Sequence, residues 1–329
     1  MLPPKRVFSL LFITAYLNIS FPSVAKSFKV NGKLSLGATS SWKEFGAIDY
    51  EADIKVKSKR KSGIRSVTKF RGSSETHQVE LREAYFDLKK EKKYRILAGY
   101  TKKIMGLEYQ RGSKARILET RTFFYENLQK FSYVGKEALL RFEPATQTRS
   151  IHWSASIGYN ESQDVNSMFS ISHNFGGGLT WYQWLLLQSD SIDSSRQFVW
   201  CSVSSLEIST DQDQWQWEVS LGQDPFESEY RKTFGDGGKS YFLGSKWQYA
   251  NNQHDHNGDQ FGPLIQTTAM FHRLDQFNDN SLQFLIGGYY QLGTMTLSAH
   301  GEIIGNYNFI KKNRTYHQSK AQISARQYF

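Results

Sequence analysis

From Phe28 to the last residue the chain repeats with a period of two, and this alternation constrains its fold more than any other feature. Over 48–56 the even positions are Ile48, Tyr50, Ala52, Ile54 and Val56, with Asp49, Glu51, Asp53 and Lys55 between them. Over 151–159, Ile151, Trp153, Ala155, Ile157 and Tyr159 alternate with His152, Ser154, Ser156 and Gly158. Trp215, Trp217, Val219 and Leu221 likewise alternate with Gln216, Glu218 and Ser220. Side chains of a strand point alternately to its two faces, so each of these segments has one dry and one wet face. Sixteen candidate strands can be marked: about 28–40, 48–57, 64–71, 78–89, 94–103, 137–143, 150–160 and 165–174, then 179–188, 197–208, 214–222, 240–249, 263–273, 281–291, 294–303 and 316–329. Most reach the roughly 9–11 residues that a tilted strand needs to cross a bilayer.

A soluble sandwich would also alternate. Two features favour a membrane barrel instead. Aromatic residues sit near strand ends on the apolar face, as in Tyr94 and Tyr100, Trp153 and Tyr159, and Tyr241 with Trp247 and Tyr249. Such rings suit the two membrane interfaces. The strands are also too many and too evenly spaced for one compact core. The fold class expected is therefore all-β: a closed antiparallel transmembrane β-barrel of sixteen strands, with fourteen as the alternative count. Long connections at 104–136, 223–239 and 304–315 alternate with short ones at 90–93, 175–178, 209–213 and 292–293, which distinguishes outer loops from periplasmic turns. Residues 250–262 break this rhythm.

The N-terminus reads as an export signal. Lys5 and Arg6 precede an apolar run, Val7–Phe21, and Ser23-Val24-Ala25 supplies a small-x-small cleavage site. The division expected is a signal peptide over 1–25 and a barrel over 26–329. One cysteine, Cys201, forms no internal disulfide, so the exported domain depends on other means, and a ring of hydrogen-bonded strands provides them.

The last strand, Ala321-Gln322-Ile323-Ser324-Ala325-Arg326-Gln327-Tyr328-Phe329, alternates backwards from a terminal phenylalanine. It resembles the C-terminal strand of bacterial outer-membrane barrels, whose final aromatic residue is read by the barrel assembly machinery. Gln327 departs from that pattern. A narrower resemblance covers residues 79–142. Leu81-Arg82-Glu83-Ala84-Tyr85-Phe86-Asp87-Leu88, Leu97-Ala98-Gly99-Tyr100-Thr101-Lys102-Lys103 and Gly106-Leu107-Glu108 resemble the phosphate-selective porin O/P-type family. That resemblance implies sixteen strands, a homotrimer, a loop folded into the pore and a preference for anions such as phosphate.

Charge is unevenly distributed. Residues 55–149 hold 24 Lys/Arg against 10 Asp/Glu, whereas 150–329 hold 11 against 17. A charge pointing into lipid costs about 2–4 kcal/mol at the midplane, so strand charges should point inward. Parity then turns Arg65, Lys69, Arg71, Arg95 and Arg141 to the lumen, opposed by Asp49, Glu51, Asp53 and Glu83. Arg82 shares parity with Ala84 and Phe86, and a bulge near Glu80 would reconcile it. The stretch 104–136 carries Phe123, Phe124, Tyr125, Phe131 and Tyr133 beside Arg111, Lys114, Arg116 and Arg121, too apolar for a free surface loop. Folded inward, it buries the rings and sets its arginines across the pore; a surface lid or a contact between subunits is the alternative. The basic run Lys55–Lys61 is expected to cap a turn near anionic head groups, with no nucleic-acid partner.

Catalytic signals are weak. Gln253-His254-Asp255-His256 resembles the histidine segment of outer-membrane phospholipases, but His256 stands where their serine does. His254, Asp255, His256 and Asp259 have donors suited to a divalent metal, yet such loop clusters are usually hydrated. No enzyme activity, metal or cofactor is expected. The function read from the sequence is an outer-membrane diffusion porin for small hydrophilic solutes. The alternative is a structural, adhesive or receptor barrel without channel activity.

Overall fold

The computed structural model describes residues 25–41, 44–60, 64–73, 79–90, 94–110, 123–130, 133–144, 150–160, 165–192, 195–223, 241–251, 253–254, 260–271, 280–292, 295–308 and 313–328. The chain opens with β1 (Ala25–Ser41), β2 (Glu44–Arg60), β3 (Ile64–Ser73), β4 (Val79–Lys90) and β5 (Tyr94–Lys103). Two helices follow, α1 (Leu107–Gln110) and α2 (Phe123–Lys130). Next come β6 (Gly135–Pro144), β7 (Ile151–Tyr159), β8 (Val165–Gly176), β9 (Leu179–Ile192), β10 (Ser195–Ser209) and β11 (Asp213–Gln223). The last strands are β12 (Tyr241–Asn251), β13 (Gln253–His254), β14 (Gln260–Phe271), β15 (Asn280–Leu292), β16 (Met295–Asn308) and β17 (Asn313–Tyr328).

All strands lie in one sheet and pair antiparallel, each long strand with the next long strand along the chain and β1 also with β17. β1 pairs with β2 along one edge and with β17 along the other, from Lys33 opposite Tyr328 to Ser41 opposite Lys320. The two-residue β13 prolongs β12 past Asn252, since both pair with β14. Sixteen long strands therefore remain, the number expected from the alternation. No helix among the described residues is long and apolar enough to cross a membrane.

Several expectations change. The strand pairing extends further than the alternation does, because backbone hydrogen bonds do not require an apolar face. β16 runs to Asn308 and β17 starts at Asn313, so 304–315 is not a long connection. The irregular stretch 250–262 shrinks in the same way, since β12, β13 and β14 occupy most of it. The basic run lies on strand as far as Arg60: β2 carries Lys55 and Lys57 within its pairing to β3, and Lys61 lies outside the described residues. The Gly176-Gly177-Gly178 segment is the tight turn expected, with φ of 86°, 58° and 80°, values that favour glycine.

The bulge is present. Lys69 pairs with Glu83 and the next residue, Phe70, with Leu81, so Arg82 is the extra residue on β4. Its placement at Arg82, two residues beyond Glu80, resets parity for the outer end of that strand. Arg82 Nε lies 3.5 Å from Glu80.

Polarity is inverted relative to a soluble protein. The outer face bears exposed apolar side chains, including Ile54 at 47%, Ile157 at 53% and Ile286 at 54%. The inner face holds buried polar ones, among them Glu218, Lys246, Gln266 and His300. Outer-face aromatics cluster at strand ends. Trp215 packs on Tyr249 at 4.3 Å and on Trp247 at 5.8 Å, and Trp153 packs on Phe142 at 5.9 Å and on Phe169 at 6.2 Å. At the opposite end Tyr100 and Tyr159 both face Ala138.

A lysine introduced at Ile54 should therefore lower the unfolding free energy in lipid vesicles by about 2–4 kcal/mol. Lys55→Gln, one residue along and on the inner face, should cost far less. Urea titration of both variants checks the order, and a reversed order would mean that the faces of β2 are misassigned.

Candidate functional site

The described parts of the segment between β5 and β6, 104–110, 123–130 and 133–134, fold inside the ring of strands, as their apolar content required. Met105, Leu107, Phe124, Tyr125, Leu128 and Tyr133 are all buried to within about one per cent. They pack on an inner wall that is unusually apolar: Met168 of β8, Trp184 and Leu186 of β9, Cys201 and Val203 of β10, Phe242 of β12 and Met270 of β14. Sequence logic explains the three leucines 185–187. Leu185 and Leu187 face out and are exposed, while Leu186 turns in to meet the segment.

Local geometry forms the segment's two helical turns. Gly106 has φ of 80°, and a Cβ there would overlap the Tyr125 hydroxyl, so only glycine lets α1 and α2 approach. The Gln110 amide donates to the Gly106 carbonyl at 3.1 Å, and the Tyr133 amide to that of Leu128 at 3.0 Å.

A buried carboxylate fixes this segment to the wall. Glu218 of β11 accepts hydrogen bonds from the Leu107 amide at 2.9 Å, the Tyr125 hydroxyl at 2.6 Å and the Ser205 hydroxyl at 3.0 Å. Lys246 of β12, directly opposite in register, donates to its second oxygen at 3.1 Å. Lys246 also lies 5.4 Å above the Tyr125 ring. Both charged side chains are fully buried. The Tyr133 hydroxyl adds a bond to the Gln223 carbonyl. A second buried ion pair, Lys103 with Glu137 at 3.5 Å, stands where the segment leaves β5, and Asn166 donates to the same carboxylate.

The wall formed by β2–β6 is basic. Lys69 pairs in register with Glu83 and Lys55, and Arg65 with Asp87. Asp87 is shared, binding Arg65 at 3.2 Å and Arg95 at 2.9 Å, and Arg95 reaches Glu143 at 3.0 Å. Arg71 lies two residues beyond Lys69 on the same face of β3. Arg141 is 3% exposed and donates to the Lys102 carbonyl at 3.3 Å. Arg65, Lys69, Arg71, Arg95 and Arg141 are thus gathered on one side of the interior, with Glu83 and Asp87 offsetting part of their charge. Lys55 and Lys57 belong with them and were missed, although their parity against Ile54 and Val56 was legible. Glu218 and Lys246 were missed as a pair, because register across a long connection is not encoded in either strand alone.

Arg111, Lys114, Arg116, Arg121 and Phe329 lie outside the described residues, as do residues 1–24 and 255–259. The side chains of Asp49, Glu51, Asp53 and His254 do too. Among the described residues no group of three or more His, Cys, Asp or Glu side chains is placed to hold a metal ion.

No family model matches the chain, and comparison with curated proteins finds no match. Solved structures do share the fold. OmpT of Vibrio cholerae in a trimer form aligns with a TM-score of 0.60 at 9% identity, over 92% of this chain and 99% of that one. The anion-selective porin of Comamonas acidovorans gives 0.61 at 9% identity over 92% and 99%. The outer membrane channel DcaP of Acinetobacter baumannii gives 0.63 at 10% identity over 94% and 98%. The fold is therefore that of outer-membrane porins, while identities this low carry no function with them.

Removing the carboxylate by Glu218→Leu should leave Lys246 buried without its counter-ion and cost about 3–5 kcal/mol. The double variant Glu218→Leu, Lys246→Leu should recover most of that loss. Unfolding titrations, with tryptic cleavage after the arginines between α1 and α2 as a local readout, measure both. Equal destabilisation in the single and double variants would show that the pair does not hold the segment.

Proposed function

We propose that the protein is an outer-membrane diffusion porin for small hydrophilic solutes, exported by a signal peptide cleaved after Ala25. Its strands form a closed transmembrane barrel around the polar interior. The observation that carries this reading is the inward segment, pinned by Glu218 to the apolar wall of β8–β14 within a ring whose β2–β6 wall is basic. A plug would have no use for a lumen wall rich in solvated charge, and an adhesive barrel would have no use for an internal constriction. This sets the channel reading above a structural or receptor barrel. Against an enzyme stands the segment at His254, which lacks the serine of the phospholipases it resembles.

An anion preference is the finer part of the proposal. Lysines and arginines on β2–β6 raise the local anion concentration in a narrow aqueous path, acting within a Debye length of about 8 Å at physiological salt. The short motifs on β4, β5 and after them support a kinship with phosphate-selective porins, and one fold neighbour is named as anion-selective. A homotrimer fits the trimer form of another neighbour. Phe329 is proposed as the signal for the assembly machinery.

In planar bilayers the refolded protein should open aqueous channels, with a reversal potential in a potassium chloride gradient that shows anion preference. Arg116→Glu combined with Arg121→Glu should reduce or reverse that preference. A wild type without conductance would overturn the porin reading; a cation-selective wild type would overturn only the anion preference. Deleting Phe329 should lower the yield of heat-modifiable protein in the outer membrane, and an unchanged yield would remove its role in assembly.

A further inference from the structure

Between Ile104 and Gln110 of the inward segment and the inner faces of β6–β9 lies a cavity of about 420 Å³. That is within the range of small-ligand pockets, about 300–1,000 Å³. It lies where the two features described above meet, with Trp184 from the apolar seat and Arg141 from the basic wall both in its lining.

Strand register builds the lining. Trp184 of β9 stands opposite Ser170 of β8 and Tyr182 opposite Ser172. Ser170 in turn faces Ser154 of β7, and Ser172 faces His152. Tyr182 and Trp184 stack with centroids 5.6 Å apart and planes at 7°. The Ser154 and Ser170 hydroxyls are 2.7 Å apart. One end is closed by Arg141 and Glu143. Arg141 is almost wholly buried and its Nε has no hydrogen-bond partner.

Chemistry limits what such a cavity can hold. An inorganic anion needs donors converging on one point, and here the hydroxyls are spread over three strands with a carboxylate at one end. An apolar solute would leave the serine hydroxyls, His152 and Glu143 facing carbon with no hydrogen bond gained. A pyranose satisfies both halves. Its hydroxyls donate and accept, as do those of serine, and can accept from the guanidinium while donating to the carboxylate. Its C–H face lies flat on an aromatic ring.

We propose that this cavity is a binding subsite for a neutral pyranose sugar, with Tyr182 as the stacking surface and Arg141, Ser154 and Ser172 as hydrogen-bonding groups. The proposal deepens the channel reading and rests on the interior being a path for solutes.

Calorimetric titration of the refolded full chain with D-glucose and with maltose tests it, with inorganic phosphate as the competitor. Saturable sugar binding is expected, weakened about tenfold by Tyr182→Leu, a change worth one aromatic contact. Tyr182 packs against the apolar cluster that seats the inward segment, so the double variant Ser154→Ala, Ser172→Ala, which alters no large side chain, serves as the second probe and should also weaken binding. A heat-shift gel confirms that both variants are folded. No saturable binding of either sugar, binding unchanged in both variants, or displacement of sugar by phosphate would each overturn the subsite. Conductance recorded on the same preparation separates the two readings. A conducting protein that binds no sugar loses the subsite and keeps the channel, whereas sugar binding without conductance supports the subsite and removes the channel.

Discussion

Every structural feature here depends on the pairing of β1 with β17. A backbone amide or carbonyl in hydrocarbon has no water to bond, and each one left unpaired costs several kcal/mol. An open sheet has two such edges. When the first strand joins the last, each long strand gains a partner on both sides and the sheet has an inside and an outside. Only then does a period of two in the sequence become a division between outward-facing and enclosed residues.

The inverted polarity creates a problem that the inward segment resolves. Polar and charged groups on the inner face are buried by geometry without being placed in oil, and most of them remain near other polar groups. The inner faces of β8–β14 are the exception, since Trp184, Leu186, Val203, Phe242 and Met270 would present apolar surface to an aqueous interior. Covering them with Phe124, Tyr125 and Leu128 removes that surface from water at about 25 cal/mol per Å². Hydrophobic burial is not directional, however, and would let the segment slide. Four donors converging on Glu218 supply the direction, because a desolvated carboxylate loses far more from misplacement than a leucine does.

Much of this was legible in the sequence because the period-two signal is local. Each strand reports its own faces, so Ile54 against Lys55 or Trp217 against Glu218 could be assigned without knowing a neighbour. The bulge was legible for the same reason: Arg82 violated the phase of its own strand. What failed were quantities that depend on two strands at once. The ends of β2, β16 and β17 extend where backbone pairing outlasts side-chain alternation. The meeting of Glu218 with Lys246 required the register across the connection from 224 to 240, and neither strand carries it. The Tyr182 and Trp184 wall was equally hidden, since parity gives their direction but not the serines that face them.

A ring paired in chain order has one further property: position along the sequence becomes position around the circumference. Much of the excess of basic residues over 55–149 is therefore gathered onto β2–β6, whereas the acidic excess over 150–329 falls in the connections and the remaining strands carry acidic and basic residues in equal number. The inward segment adds to this asymmetry, because it leaves the ring between β5 and β6 and seats itself on strands further round, β8–β14. It carries chain from the basic sector to the apolar one and leaves the basic sector facing the remaining space. Charge placement and constriction are thus two consequences of one topology, and a solute crossing the interior would meet the basic wall because the opposite wall is already occupied.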